Sequence, residues 1–307
     1  GGNMRTNDRS EDRTHYDLSD GYSLERADPK EFAIHAAIYL SADTRFELDW
    51  DVRLSTLVRV GESGYWIKQE GHRIGGVMLR PNLMTGLFLE PPFGDVYQVL
   101  RRLKRLLVHW SDKNADVNAV EIPPDQREYF HRLGFQLRNA VRCMIRPTET
   151  FDVSWGDDFV AAQPRKENEQ EIARLMSEAF SHLGFGEMTL EEQTQSVRHW
   201  FVKQMEAEIL GRASTLVYEK GTNRLVGACL IMLWQSWPVV YDVAVSPAFQ
   251  GRGLATKMLQ RALTVLKERY PVLRLNVTVK NPAESVYYNL GFLPGVEIAH
   301  LYIPAAR

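Results

Sequence analysis

The stretch from Val239 to Arg269 reads VVYDVAVSPAFQGRGLATKMLQRALTVLKER. Its first seven residues are mostly apolar and β-branched, which predicts a buried strand that ends at Val245. After a turn at Ser246-Pro247, apolar residues recur at helical spacing from Leu254 to Leu266. The stretch therefore predicts a strand, a glycine loop and a helix, in that order.

The glycine loop, Gln250 to Ala255, predicts an anion site. Gly251 and Gly253 let the backbone turn tightly and approach a ligand, because neither has a Cβ atom. The first amides of the following helix have no intrahelical acceptor and carry the positive end of the helix dipole, which favours phosphate oxygens. The loop lacks the lysine of a P-loop and does not have the pattern of a dinucleotide-binding GxGxxG. A nucleotide-binding module is therefore disfavoured.

Two patterns resemble the GNAT superfamily of N-acetyltransferases. Gln250, Gly253 and Ala255 match its acetyl-coenzyme A loop, Gln/Arg-x-x-Gly-x-Gly/Ala. The run NPAESVYYNLGF, from Asn281 to Phe292, is similar to its second signature, in which an asparagine opens a short helix, a tyrosine lies within it and Gly-Phe closes it. Asn281 is the expected N-cap of this helix. The resemblance implies that acetyl-coenzyme A is bound by the strand, the loop and the short helix, through Val243, Ala244, Val245, Gln250, Gly251, Arg252, Gly253, Leu254, Ala255, Asn281 and Tyr287.

Composition argues against several other classes of protein. The chain has 307 residues, 44% of them hydrophobic and 25% charged, and a net charge of -2. These values suit a soluble protein of about two domains and indicate neither a nucleic-acid nor a membrane partner. Cys143 and Cys229 fall in predicted strands of different halves, which favours a reducing cytoplasm over a disulfide framework. No metal-ligand spacing is present, so we expect no metal, and nothing in the sequence indicates the oligomeric state.

The two halves of the chain contain matching motifs in the same order. Arg73-x-x-Gly76 matches Arg224-x-x-Gly227, Pro91-x-Phe93 matches Pro247-x-Phe249, and Leu133-Gly134-Phe135 matches Leu290-Gly291-Phe292. Phe93 and Phe135 are 42 positions apart, and Phe249 and Phe292 are 43 apart, so the spacing repeats as well.

The resemblance, extended to both halves, implies an α/β fold of two tandem GNAT-like domains. Each is expected to be a twisted, mostly antiparallel sheet with splayed central parallel strands and flanking helices. The expected ranges are a flexible tail at 1–21 with a cloning remnant before Met4, a degenerate domain at 22–146, a linker at 147–158 and a catalytic domain at 159–307.

The first half lacks the expected chemistry. Phe93 is followed by Gly94 and Asp95 rather than by a two-glycine loop, and Asp95 would cap the helix amides itself and repel a phosphate. Counting back from the Gly-Phe pair, Phe130 takes the place of Tyr287 and has no hydroxyl. We therefore expect the first domain to be structural, or to form a wall of the substrate site of the second.

The resemblance implies that an amine attacks the thioester directly, in a ternary complex without an acyl-enzyme. Cys229 is interpreted as a small buried strand residue rather than a nucleophile. Tyr287 is the expected catalytic residue, because a phenol with a pKa of about 10 stays protonated near pH 7 and can donate to the departing coenzyme A thiolate. Tyr288 points about 100° away on the helix, and the spacing to Gly291 selects Tyr287.

No single general base is indicated. Asp242 lies on the central strand, but its alternation with Tyr241 and Val243 could turn its side chain away from the substrate. The other candidates are Tyr241, Glu187 and His182. At the strand position where some GNAT enzymes place a glutamate, this chain has Asn276.

The sequence leaves the acceptor open, since a fold does not fix a substrate. Trp234, Trp237 and the loop at 184–188 are expected to line the acceptor pocket. A small-molecule amine ranks first, and an amino acid, an aminoglycoside-like compound and a protein N-terminus or lysine remain open. A catalytically silent sensor of acyl-coenzyme A is another, although Tyr287 and the intact loop argue against it.

Overall fold

The fold is that of a computed structural model, which describes residues 14–40, 45–47, 49–181 and 188–306. The chain divides into two compact units, one formed by 1–142 together with 296–307 and the other by 143–295. Within the described ranges, no helix is both long and apolar enough to cross a membrane.

The elements follow one another in nearly the same order in the two halves. In chain order they are β1 (His15–Ser19), β2 (Tyr22–Arg26), α1 (Pro29–Tyr39), α2 (Trp50–Val60), β3 (Gly64–Gln69), β4 (His72–Arg80), β5 (Leu83–Leu89), α3 (Val96–Trp110), β6 (Val117–Ile122), α4 (Pro124–Arg132), β7 (Gln136–Pro147), β8 (Phe159–Ala162), α5 (Glu169–Phe180), α6 (Leu190–Gln204), α7 (Glu208–Ala213), β9 (Thr215–Glu219), β10 (Leu225–Trp234), β11 (Trp237–Val245), α8 (Leu254–Leu266), β12 (Val272–Thr278), α9 (Ala283–Asn289), β13 (Leu293–Pro294) and β14 (Ile298–Ile303).

The first unit has the strand order β1-β2-β3-β4-β5-β6-β14-β7. Its neighbouring strands are antiparallel except for β5 and β6, which run parallel. The parallel pairing covers only two positions, Leu83 with Asn118 and Met84 with Ala119. Beyond Met84 the two central strands therefore separate.

The second unit has the order β7-β12-β11-β10-β9-β8, in which β7 contributes its end from Cys143 onward. β11 and β12 are parallel and pair at one position, Val239 opposite Arg274. Two cores lie on opposite faces of this sheet, as the alternation of β10 requires. Cys229 and Ile231 join the core under α8, whereas Ala228 and Leu230 join the core under α5 and α6.

The observed strand, loop and helix confirm the prediction made from the stretch at Val239. β11 ends at Val245 and α8 spans Leu254–Leu266. The predicted mixed sheet, mostly antiparallel with a parallel central pair that splays, is also observed in each unit.

The expected flexible tail is wrong for its last residues, because His15–Ser19 forms β1 against β2. Leu18 is buried, and the ring of Tyr16 packs on Tyr65 and Trp110. Asp20 accepts a hydrogen bond of 2.7 Å from the buried guanidinium of Arg102. These partners lie far along the chain, so the polar composition of the segment concealed them.

The compact units also differ from the expected domain ranges. β14, expected in the second domain, pairs with β6 and β7 inside the first unit. The expected linker at 147–158 is bound to the second unit, where Thr148 donates a backbone hydrogen bond of 2.9 Å to Pro271 and Phe151 one of 2.9 Å to Thr264 Oγ1. The position of β14 depends on pairing between residues far apart in the chain, which local sequence patterns do not encode.

Candidate active site

A bulge in β11 sets the geometry at the point where the central strands of the second unit separate. Leu230 pairs with Asp242 and Ile231 pairs with Val240, so Tyr241 is the extra residue of the bulged strand. Val240 and Val243 consequently pack on the same core, with two residues between them instead of one. The strict alternation assumed for Asp242 is therefore broken at this position.

A cavity of about 810 Å³ lies where β11 and β12 separate. Its described lining comes from both faces of the sheet: α8 and α9 on one, the end of α5 and the start of α6 on the other. Every residue predicted to bind the cofactor lines it except Arg252, whose guanidinium lies 5.1 Å from the ring centroid of Phe249.

The glycine loop has the backbone that an anion cradle requires. Gly251 and Gly253 have φ angles of 78° and 77°, a left-handed conformation that strains any other residue type. A Cβ atom added to either would meet no protein atom within 4 Å, so the space beside both is open. Gly253 is the N-cap of α8, and no side chain of a described residue caps this helix. The first-turn amides are thus left for a ligand, and the loop fits a pyrophosphate.

Tyr287 faces the cavity and Tyr288 does not. The side chain of Tyr287 is 7% exposed and lines the cavity, whereas Tyr288 is 65% exposed. Two hydrogen bonds fix this register: Asn281 Oδ1 accepts one of 2.9 Å from the amide of Ala283, and the amide of Phe292 donates one of 3.0 Å to the carbonyl of Tyr287. Burial raises the pKa of the Tyr287 phenol above its usual value of 10, so the phenol keeps its proton at neutral pH.

Asp242 also lines the cavity, which corrects the expectation that its side chain could point away from the substrate. The residue is partly buried, and its carboxylate accepts no hydrogen bond from a described residue. Desolvation raises the pKa of this carboxyl from 3.8 to about 7. At neutral pH a substantial fraction is ionised and able to accept a proton.

The other candidate bases are less well placed. The hydroxyl of Tyr241 donates to the carbonyl of Ser196 at 3.0 Å and lies 2.8 Å from Ser196 Oγ. Burial raises the pKa of Tyr241, which makes the phenolate form rarer. Glu187 and His182 lie outside the described residues. Asn276 lines the cavity but has no basic group.

Two further expectations concern Trp234, Trp237 and Cys229. Among the described residues, neither tryptophan lines the cavity, because both flank the tight turn between β10 and β11. Arg274 holds that turn by donating a hydrogen bond to the carbonyl of Trp237 at 3.2 Å.

Cys229 is fully buried, and desolvation raises its thiol pKa to about 12, so it is the inert strand residue that was predicted.

In the first unit, side chains close the corresponding gap between β5 and β6. Thr85 Oγ1 donates to the carbonyl of Val120 at 3.0 Å, and Gln126 Nε2 donates to the carbonyl of Leu87 at 2.8 Å. Gln126 was missed in the sequence, although it lies one helical turn before Phe130 and so shares its face of α4. Leu87 corresponds to Val243 when the Phe93 and Phe249 motifs are aligned.

The remaining differences between the first and second units agree with the sequence prediction. Asp95 caps α3 by accepting from the amide of Gln98 at 3.2 Å, as expected. Phe130 is fully buried and packs edge-on against Phe135 with a centroid distance of 5.1 Å, as Tyr287 does against Phe292 at 6.3 Å. The two units thus share this packing and differ in the hydroxyl.

One polar contact is also repeated. Arg224 donates to Ser246 Oγ at 3.3 Å beside the glycine loop. In the first unit Arg73, its counterpart in the repeated motif, donates to Glu90 at 3.1 Å. A carboxylate therefore stands where the second unit has a hydroxyl, next to the position of the anion loop.

Comparison with known proteins agrees with this geometry. Residues 170–292 match the model of the acetyltransferase (GNAT) family. No curated protein sequence matches the chain significantly. A GCN5-related N-acetyltransferase from Sphaerobacter thermophilus superposes with a TM-score of 0.68 at 15% identity, over 95% of this chain and 98% of that one.

Two other solved structures have the same fold. A tandem GNAT protein from the clavulanic acid biosynthesis pathway gives a TM-score of 0.53 at 15% identity, over 90% of this chain and 94% of that one. A GNAT-family acetyltransferase from Colwellia psychrerythraea gives 0.54 at 12% identity, over 92% and 98%. The chain therefore has the fold of these GNAT proteins, and its match to the family model spans residues 170–292.

Proposed function

We propose that the second unit transfers an acetyl group from acetyl-coenzyme A to a primary amine of a small molecule, by direct attack in a ternary complex. The observation that carries the proposal is one cavity that collects an uncapped helix N-terminus, a buried phenol and an ionisable carboxyl. Gly251 to Ala255 would hold the pyrophosphate through backbone amides. Val243 to Val245 have no strand partner on the β12 side and would bind the pantetheine arm as a strand does.

Acetyl-coenzyme A supplies the acetyl group as an activated thioester. Asp242, ionised near pH 7, accepts a proton from the substrate ammonium, whose pKa is about 10, and so produces the nucleophilic amine. The reaction forms the C–N bond of an amide and breaks the C–S bond of the thioester, and the second proton that the nitrogen loses passes to solvent, so that coenzyme A leaves as its thiolate. Tyr287 then donates a hydrogen bond to the departing thiolate, and because its own pKa is raised, it stabilises the thiolate without losing its proton completely.

The test is a panel of amines incubated with acetyl-coenzyme A and the full chain, with released thiol and acetylated amine both quantified. We expect at least one small amine to be acetylated well above the hydrolysis rate, and Gly253→Glu to abolish the signal. Tight binding of acetyl-coenzyme A with no acetylated product from any small amine would contradict the proposal.

The same panel separates the alternatives. A silent sensor requires the loop but neither Tyr287 nor Asp242, so Asp242→Asn and Tyr287→Phe would leave its affinity for acyl-coenzyme A unchanged. A protein acetyltransferase would acetylate peptides in preference to small amines.

A further inference from the structure

Asp242 is the one charged residue among the described residues that line the cavity. The other polar side chains of the described lining are neutral, namely Ser177, Ser181, Gln193, Tyr241, Gln250, Thr256, Asn276, Thr278, Asn281 and Tyr287. On the acceptor side, therefore, the described lining offers a counter-ion to a bound cation and none to a bound anion.

The same side of the cavity presents apolar surface beside the neutral polar groups of Ser177, Ser181 and Gln193. Phe180, at the end of α5, and Met188, just before α6, both line it, and Met188 is 43% exposed. The ring of Tyr241 packs against the core under α5 and α6, and its hydroxyl is occupied by Ser196. An acceptor bound here would contact aromatic and thioether surfaces, which favour an apolar body.

We infer that the acceptor is a primary amine with an apolar body and no acidic group beside the amine, and that Asp242 binds its ammonium group. The inference rests on the proposed function and narrows its substrate to one class. An α-amino acid carries a carboxylate next to its amine, which would lie close to Asp242 with no guanidinium or ammonium among the described lining residues to neutralise it. Like charges in a partly desolvated site repel strongly, so such acceptors are excluded by charge rather than by size.

Three compounds that share one phenyl body provide the test: 2-phenylethylamine, L-phenylalaninamide and L-phenylalanine. The amide has nearly the size of the amino acid but no negative charge, so it controls for steric exclusion. With the full chain and acetyl-coenzyme A at pH 8, we expect kcat/KM for the amine and the amide to exceed that for phenylalanine by about 100-fold or more. Asp242→Asn should lower all rates and shrink the preference to less than about 10-fold, because the repelling charge is gone.

A binding measurement makes the inference independent of turnover. In calorimetric titrations of the chain saturated with coenzyme A, the amine and the amide should bind and phenylalanine should not. If this binding pattern is seen without any acetyl transfer, the inference stands and the proposed function fails. Equal turnover of all three compounds, or a preference for phenylalanine, would overturn the inference. It would also be overturned if neither 2-phenylethylamine nor L-phenylalaninamide were bound or acetylated.

Discussion

At the scale of single residues, burial raises the pKa of both Asp242 and Tyr287, with complementary consequences. The carboxyl of Asp242 becomes a base suited to neutral pH, because its pKa rises to about 7. The phenol of Tyr287 becomes a weaker acid, so it remains a hydrogen-bond donor throughout the working pH range. One group is thus suited to take a proton from the amine and the other to stabilise the leaving thiolate.

Tyr287→Phe is expected to lower kcat by about 10²-fold, while KM for acetyl-coenzyme A changes little, because the lost hydrogen bond forms with the leaving thiolate. Tyr288→Phe is the matched control, since that ring is 65% exposed, and it should change kcat less than about 3-fold. Steady-state kinetics of the two variants decide the point. If Tyr288→Phe causes the larger loss, the role given to Tyr287 is wrong.

The pH dependence of kcat/KM tests Asp242. As a base it must be ionised, so activity should rise with pH through an apparent pKa near 7. In Asp242→Asn this rise should disappear, and the residual activity, lower by about 10²-fold or more, should increase only toward the pKa of the amine, at about 10. A wild-type profile that persists in the variant would exclude Asp242 as the base.

The stability of Asp242→Asn has its own pH dependence. The carboxyl pKa is 3.8 ordinarily and about 7 in the folded chain, so between these values the folded state binds more protons than the unfolded state. Stability therefore falls as pH rises from about 4 to about 7, and the asparagine variant escapes this loss. The advantage of the variant in free energy of unfolding should be larger at pH 8 than at pH 5 by about 2 kcal/mol. Denaturant unfolding at the two pH values measures it, and an advantage independent of pH would mean that the carboxylate is well solvated.

The orientation of Tyr287 toward the cavity could be predicted from the sequence, whereas that of Asp242 could not. The register of Tyr287 follows from its distance to the Gly-Phe pair and from Asn281, whose Oδ1 accepts a hydrogen bond from the amide of Ala283. The N-cap of α9 itself is Pro282, whereas Asn281 was predicted. The orientation of Asp242 depends on the bulge at Tyr241, which is a property of two paired strands. Gln126 likewise acts through the carbonyl of Leu87, a contact between residues far apart in the chain.

At the scale of elements, the strand, loop and helix from β11 to α8 were predictable because each part is specified locally. The apolar run ends at Val245, and the helical spacing begins at Leu254. β1 was missed because it is held by distant contacts and not by its local sequence. These contacts are the burial of Leu18, the ring contacts of Tyr16 and the ion pair between Asp20 and Arg102.

Gly253→Glu tests the anion cradle at the start of α8. The new side chain would occupy the open space beside the loop and add negative charge, so the affinity for acetyl-coenzyme A should fall by at least about 100-fold. Gly221→Glu is the matched control, because Gly221 has a similar positive φ of 93° and equally open surroundings but lies in the turn between β9 and β10. Calorimetry should show binding in the control and none in Gly253→Glu. Unchanged affinity in a folded Gly253→Glu variant would remove the loop from the site.

At the scale of the whole molecule, the two units share a fold, and all the described residues that line the cavity of about 810 Å³ belong to the second unit. The first unit keeps its core, in which α3 contributes Val99, Leu100, Leu103 and Leu107. Packing of the sheet depends on such apolar stripes, so the fold can persist after the binding residues are replaced. Gln126, Asp95 and Glu90 now occupy or oppose the places that a coenzyme A molecule would need.

The stoichiometry of acetyl-coenzyme A binding tests this division between the units most directly. A calorimetric titration of the full chain should saturate near one equivalent, and Gly253→Glu should eliminate that binding, because the first unit has no cradle to replace it. Two equivalents of similar affinity in the wild-type chain, or one equivalent that survives Gly253→Glu, would contradict the assignment of the site to the second unit.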